Sequence, residues 1–490
     1  MIKGNLLRRI KLYSKRLFDN IYDCPNVFVV SEDWPGDFPG RTFLALTSLY
    51  LSLDDNQEEK AIAKNKIDIL FNEIKGHLNE DYFFGQIYDS NHINEQQLSG
   101  NGWYIRGLSR YYEITHDEKV YKMIKTISEK LLIPLAKEYK DYPLTLRKEK
   151  GDVSGHIIHD NKDKWILSSD VGCAYILLDG YVSAYEVLKD ESLKDAIKLV
   201  IDAFEKADVV NVMFQTHATL TATRGILRFY QATKEEKYLK LAIKMFDIYQ
   251  KEGMTDDFEN INWFMKENGR TWTEPCCVVD SFILAKHLYL ITKEVKYLKT
   301  YNRIYINGVR TFQRNNGGAG CSTIIRHGVG ELKIWMYEAF FCCSLREGEG
   351  FYELASSVIK DDNSYLFLID EGMEDENINV DIDLYEKKII HLDFKKDLEV
   401  LIYVPDGIKT KFDVKDNILK IKGHKGESID IDFELDVIKD EYRYLYGDML
   451  LTQKEKHIDR LFKLSGNNYS YIYNSSLFSE NELKELVQKL

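Results

Sequence analysis

A helical hairpin that recurs along the first two-thirds of the chain constrains the fold more than any other feature. The segments LALTSLYLSLDDN, RGLSRYYEITHDEKV, DGYVSAYEVLKDESL, RGILRFYQATKEEKYL and ILAKHLYLITKEVKYL follow one plan. Each reads as an amphipathic helix ending in an aromatic, a short polar turn and the start of a second helix. Apolar positions recur at three and four residues, the helical period. Alignment puts Tyr50, Tyr112, Tyr185, Tyr230 and Tyr289 in register, and a sixth unit is expected from Glu338 to Val358. Hairpins of about 60 residues are longer and less uniform than the repeats of an open solenoid, so a closed (α/α)6 barrel over residues 1–360 is the expected architecture.

Near residue 362 the pattern changes. SYLFLID, INVDIDLY, KIIHLDF, LEVLIYVP, TKFDVKD, ILKIKGH and SIDIDFEL alternate apolar and polar residues between turn signals, which predicts an antiparallel β-sandwich over 361–445. The tail, 446–490, is mixed. Ser479 and Glu482 stand in capping-box spacing and predict a short terminal helix. No low-complexity linker intervenes, so the sandwich is expected to dock on the barrel.

Composition narrows the function classes. The 66 basic and 79 acidic residues leave a net charge of −13, which disfavours nucleic acid and anionic membranes as partners. No stretch approaches about 18 consecutive apolar residues, so no membrane span is expected. The N-terminal MIKGNLLRRIKLYSKRLFDN is a basic amphipathic helix without the features of a secretion signal, which points to a cytoplasmic protein. Of the seven cysteines, two pairs are adjacent in sequence (Cys276-Cys277 and Cys342-Cys343), a poor basis for disulfides and a better one for reduced thiols. Cys24 and Cys173 read as isolated structural thiols.

The long loops between hairpins carry Trp34, Trp103, Trp165, Trp263 and Trp272. Aromatic loops gathered at one barrel mouth suit a carbohydrate cleft, since sugar C–H faces stack on indoles. The most informative stretch is NGRTWTEPCCVVDSFILAKHLYLI. Pro275 fits the first turn of a helix, which puts Cys276 and Cys277 where the helix dipole favours a thiolate. With Cys342 and Cys343 from WMYEAFFCCSLREGEGFYELASSVI, Glu274 and three thiolates make a tetrahedral zinc set. The third thiolate is left open among Cys276, Cys277 and Cys321, with Cys276 favoured because Cys277 lies about 100° further around the helix, toward the core.

The Glu274-Pro275-Cys276 step followed by Cys342-Cys343 resembles glycoside hydrolase family 127, the β-L-arabinofuranosidases. The resemblance spans roughly residues 100–440 and is best from Gln215 to Val358. It implies an (α/α)6 barrel with a β-sandwich, and a zinc ion held by Glu274, Cys276, Cys342 and Cys343. Cys342 is then the nucleophile of a retaining hydrolysis of a terminal β-L-arabinofuranoside or similar sugar. The family's Gly-Glu-Ala-Phe acid/base motif is absent; Glu259 is the nearest carboxylate, with Asp256 and Asp257 next. Pro275 replaces the family's Thr. His217 matches a family His that contacts the sugar, and Gln215 lies two residues before it.

Further candidates for the sugar site open other hairpins. They are Asp170, which also reads as an N-cap, Asn101, Trp103 as a stacking floor, Trp272, and Asp37 with Trp34 and Arg41. Two other readings remain. One is a metal-free (α/α)6 lyase or epimerase, which would use Arg41, Arg106, Arg224 or Arg326 on a uronate; the other is a non-catalytic carbohydrate-binding barrel. NNGGAGCST lacks the Gly-Lys-Ser/Thr ending of a phosphate loop and excludes that motif. His156 and His159 have loose metal-like spacing and read as a surface loop. A small glycoside or oligosaccharide is the expected partner, and a homodimer through the sandwich is left open.

Overall fold

The computed structural model describes residues 1–29, 34–54, 57–145, 157–162, 164–264, 271–324, 335–441, 443–452 and 462–463. The terminal helix expected after Ser479, together with Arg326 and His156, lies outside the described residues, as does the side chain of His159.

Fourteen helices are described. They are α1 (Gly4–Leu17), α2 (Asp37–Ser52), α3 (Glu58–Ile74), α4 (Glu95–Thr115), α5 (Glu118–Ile127), α6 (Ile133–Ala136) and α7 (Leu177–Leu188). There follow α8 (Glu191–Phe204), α9 (Thr216–Thr233), α10 (Glu236–Glu252), α11 (Pro275–Thr292), α12 (Val295–Ile304), α13 (Arg310–Phe312) and α14 (Cys343–Ala355). Helices α2, α4, α7, α9, α11 and α14 pack in that order, and α14 returns to α2, so they form a closed inner ring. Their partners α3, α5, α8, α10 and α12 form the outer layer. The chain is thus an (α/α)6 barrel followed by a strand-rich region.

The sixth unit differs from the expected hairpin. α14 has no return helix after it; its outer partner is α1, which packs on it from the other end of the chain. The hydrophobic stripe of α1 (Leu6, Ile10, Tyr13 and Leu17) is what closes the barrel.

The repeated turn has a common geometry. α4, α7, α9 and α11 each stop at a residue in the left-handed conformation (His116, Lys189, Lys234 and Lys293). The backbone N–H of that residue donates to the carbonyl of Tyr112, Tyr185, Tyr230 or Tyr289 at 2.7–2.8 Å. The acidic residue that follows starts the outer helix. The Asp117 and Asp190 carboxylates accept from the backbone N–H groups of Lys119 and Ser192, both at 2.8 Å. The tyrosine register seen in the sequence is therefore the register of helix C-termini.

Inner helices are buried almost all round, as α11 shows, where only the last turn is partly open. α11 is long and apolar enough to cross a membrane by composition, but 78% of that window is buried inside the barrel. Glycine permits the closest approaches: a Cβ on Gly100 would lie 2.1 Å from the Pro35 carbonyl oxygen, and one on Gly180 would lie 3.1 Å from Gly102 Cα.

The strand-rich region begins at Val358–Lys360, and its described strands form one five-stranded, two four-stranded and one two-stranded sheet. Ile378–Asp383 and Leu398–Tyr403 alternate buried and half-buried side chains, as a half-buried strand must. Pairing in these sheets is antiparallel except between Leu398–Tyr403 and Ser364–Phe367, which run parallel. The seam to the barrel is polar. Asn302 and Asn307 donate at 2.8 Å to the carbonyls of Leu368 and Asp448, and Arg310 pairs with Asp370 and Glu371.

Candidate functional site

The six inner helices run in one direction, so their N-termini gather at one mouth. Two of those termini carry the cysteines. Glu274 is the extended residue before α11, Pro275 its first residue and Cys276 its second. Cys342 precedes α14 with φ −132° and ψ −83°, and Cys343 is its first residue. One ligand atom from each of Glu274, Cys276, Cys342 and Cys343 lies within 4.8 Å of all the others. The Cys276 sulfur is 3.4 Å from Cys342 Sγ and 3.7 Å from Cys343 Sγ. Metal–sulfur bonds of about 2.3 Å in a tetrahedron put sulfurs about 3.8 Å apart, so these separations already match such a site. A buried oxygen, Glu274 Oε2, has no hydrogen-bond partner. Three sulfurs and one orphaned carboxylate oxygen fit a thiophilic divalent cation.

The choice of third thiolate follows from helix rotation. Cys276 faces the cluster, whereas Cys277 turns toward Thr216 and Tyr249 in the core. Cys321, on the strand Gly320–Ser322, stands beside Cys343 but outside the four-residue group.

The four donors are not equivalent. Cys342 is half-buried, and the other three are buried. Hydrogen bonds from Cys276 and Cys343 hold the Cys342 thiol well below its usual range against burial, with Arg41 and His217 adding to the effect. Burial pushes Cys276 and Cys343 up. The arrangement favours one thiolate, on the least buried of the three cysteines, at the positive end of a helix.

Around the cluster sits a charged shell. Arg41 Nε donates to both Asp37 oxygens at 2.9 Å, and Arg41 Nη1 is 3.8 Å from Cys276 Sγ. Burial raises the Asp37 carboxyl to about 6 against the pull of Arg41. His217 lies between Glu274 (3.5 Å) and Asp280 (3.3 Å). Burial would lower its pKa, but the two facing carboxylates raise it instead. Behind it, Asp280 takes Arg224 at 2.6 Å and a short contact from Arg346.

The remaining candidates separate by their partners. Glu259 is buried on the flank, with Oε2 3.4 Å from the Ser322 hydroxyl. Arg314 donates to the Cys321 carbonyl at 2.7 Å and feels the charges of Glu259 and Cys343, which places Glu259 near the cysteine end. Asp257 instead accepts from the Thr255 hydroxyl at 2.6 Å within its own turn. Gln215 is buried and bridges to Trp263, whose indole N–H donates to Asp170 at 2.9 Å. Asp170 thus holds Trp263, which is packed edge-on to the half-buried Trp272 at 5.0 Å.

Two expected sugar contacts are corrected by their surroundings. The Asn101 amide is committed to the backbone of Phe84 and Gln97. Trp103 has no exposed surface: it stacks on His217 at 5.6 Å and carries the guanidinium of Arg41 at 4.1 Å. It is a floor under charged residues, not under a sugar. Trp165 is also fully buried, against Tyr139 and Tyr142.

Sequence reasoning missed Asp280, Arg346 and Tyr337. Tyr337 is half-exposed beside Cys321 and Cys343. The first two lie one helical turn beyond the cysteines (Cys276 to Asp280, Cys342 to Arg346), a spacing that puts them on the same face.

No family model matches the sequence, and no curated protein does either. Solved structures do match in shape. A family 127 β-arabinofuranosidase aligns with TM-score 0.61 and 11% identity over 91% of this chain and 80% of its own. A family 127 β-L-arabinofuranosidase from Geobacillus stearothermophilus T6 aligns with TM-score 0.62 and 9% identity, covering 92% of this chain and 86% of that one. A further structure described as a glycoside hydrolase aligns with TM-score 0.58 and 8% identity over 90% and 80%. The chain therefore has the fold of family 127 glycoside hydrolases, a six-hairpin barrel with a strand-rich C-terminal region.

Proposed function

We propose that the protein is a retaining glycoside hydrolase acting on a terminal β-L-arabinofuranoside or a sugar of similar shape, with Cys342 as nucleophile. The observation that carries this reading is the convergence of Glu274, Cys276, Cys342 and Cys343, with Cys342 alone of the four not fully buried. The shared fold with structures described as β-arabinofuranosidases supports it.

Glu274, Cys276, Cys342 and Cys343 would hold zinc, which when bound keeps Cys342 a thiolate at neutral pH. The Cys342 sulfur attacks the anomeric carbon, and the C–S bond forms as the C–O bond breaks. Glu259 gives its proton to the departing oxygen. In the second step the Glu259 carboxylate takes a proton from water, the water oxygen bonds the anomeric carbon and sulfur leaves, so configuration is retained. His217, fixed by Asp280 and Trp103, orients Glu274. The cluster needs reduced thiols, which supports a cytoplasmic location.

A uronate lyase or epimerase is less favoured. Arg41, Arg106 and Arg224 are each committed to carboxylates of the protein, to Asp37, Glu349 and Asp280 respectively. The test is metal analysis together with turnover of an aryl β-L-arabinofuranoside. Stoichiometric zinc, with turnover lost in a folded Cys342→Ala variant, is expected. Wild-type turnover in that variant would remove Cys342 as nucleophile, and a metal-free protein without turnover would favour a binding barrel.

A further inference from the structure

The opposite mouth of the barrel, where the inner helices end, holds a cavity of about 480 Å³. This is within the size range of small-molecule sites. Four arginines line it: Arg106 and Arg110 from α4, Arg224 and Arg228 from α9, each pair one helical turn apart. Its carboxylates are mostly spent. Both Glu349 oxygens accept from arginines (Arg224 on one, Arg106, Arg224 and Arg346 on the other). Glu186 takes Arg228, and Glu353 takes Lys286 at 2.9 Å.

Arg106 and Arg228 are further held by the buried Asp179 carboxylate, at 3.0 and 2.7 Å. Arg110 lies flat on the Tyr352 ring at 4.0 Å, and its two nearest carboxylates, Glu113 and Glu349, both stand at 3.9 Å, beyond hydrogen-bond reach. Among the described residues the Arg110 guanidinium makes no hydrogen bond, although its side chain is only 17% exposed. Negative helix ends account for cations at this mouth, but not for a half-buried fork that has no hydrogen-bond acceptor. A cavity-lining guanidinium without a hydrogen-bond acceptor calls for an acceptor-rich ligand, and its planar fork matches a carboxylate or phosphate.

We propose that this mouth binds a small organic oxyanion, a sugar acid or sugar phosphate, with its carboxylate or phosphate on Arg110. The site is independent of the chemistry at the cysteine end.

The test titrates the full-length protein with D-glucuronate, glucose 6-phosphate and inorganic phosphate, against glucose and sodium chloride at matched ionic strength. Calorimetry and thermal unfolding are the readouts. Saturable binding of glucuronate or glucose 6-phosphate, absent for glucose and chloride, is expected, and the two anions identify which oxyanion is preferred. Arg110→Gln should raise Kd at least tenfold, while Cys342→Ala should leave it unchanged. A smaller rise in Arg110→Gln, loss of binding in Cys342→Ala, a response to bare inorganic phosphate alone, or no saturable binding would overturn the proposal. If Arg110→Gln does not fold, phenylglyoxal labelling of the wild type decides: the bound anion should slow modification at Arg110, and an unchanged rate there overturns the assignment.

Discussion

The two mouths of the barrel are built on different plans. Where the inner helices end, one turn is used four times, a tyrosine carbonyl capped by a left-handed residue and an acid that starts the outer helix. Where they begin, no two entries match. α2 follows Gly36 at φ 81°, α4 is capped by the Asn94 side chain, α11 enters through Glu274 and Pro275, and α14 through the irregular Cys342. Repetition serves a structural task that is the same each time. Irregular entries let each helix present a different side chain to a common point, which is what a metal and substrate site requires.

The largest effect separating the mouths is expected at the cysteine end, between two neighbouring residues. Cys276→Ala should lose bound metal and lower turnover on the order of 10³-fold, several kcal/mol of activation free energy. Cys277→Ala should keep metal and turnover, because its sulfur faces Thr216 and Tyr249. Metal content and kcat/KM of the two variants check this, and equal losses would mean that the cluster is not the functional centre.

Next in size is the buried charge along the axis that both mouths share. Asp280→Ala removes one of the two carboxylates shared by Arg224 and Arg346 and leaves both guanidinium groups on Glu349 alone. A loss of about 3–5 kcal/mol is expected in urea unfolding, with both ends affected. A loss below 1 kcal/mol would show that water already screens the network.

A smaller effect concerns pH. Glu347, on α14 near the cysteine end, is buried with both oxygens unpartnered, and burial raises its carboxyl well above the ordinary 4.5. The folded protein therefore holds this proton more tightly than the unfolded chain. Its stabilising contribution is full below 4.5 and is lost as pH climbs toward the raised value. Glu347→Gln should flatten the decline of Tm between about pH 5 and pH 8, by about 1–3 kcal/mol at the upper end. Parallel Tm curves for the two proteins would refute it.

The smallest effect tests the repeated turn. Lys234 holds φ 60°, which glycine adopts without a Cβ penalty. Lys234→Gly should add about 0.5–1 kcal/mol to stability and leave turnover unchanged. A drop in stability would show that the lysine ammonium over the Tyr230 ring, at 5.8 Å, outweighs the backbone term.

Much of the barrel was legible because its signals are local. The Tyr register marks helix ends, Pro275 marks the first turn of α11, and the alternation from Ile378 to Asp383 marks a strand. The closing helix was not legible. α14 pairs with α1 across nearly the whole barrel sequence, and nothing near Ala355 announces that its partner has already been made. Glu274, Cys276, Cys342 and Cys343 stood out in the sequence by their chemistry, and they converge in space. Asn101 and Trp103 were misread because their types suit a sugar cleft, while their use depends on Phe84 and on Arg41 packing against them.

The order of residues alone determined that there would be amphipathic helices of a certain length, where they would stop, and that thiols and a carboxylate would stand at two helix starts. Those follow from backbone sterics, capping and dipoles, which act within a few residues. Tertiary structure decided which thiol faces the cluster, which cysteine is least buried, and which arginine keeps donors to spare at the far mouth. Such outcomes depend on how helices rotate and pack against partners distant in the chain, and close packing permits one arrangement of them.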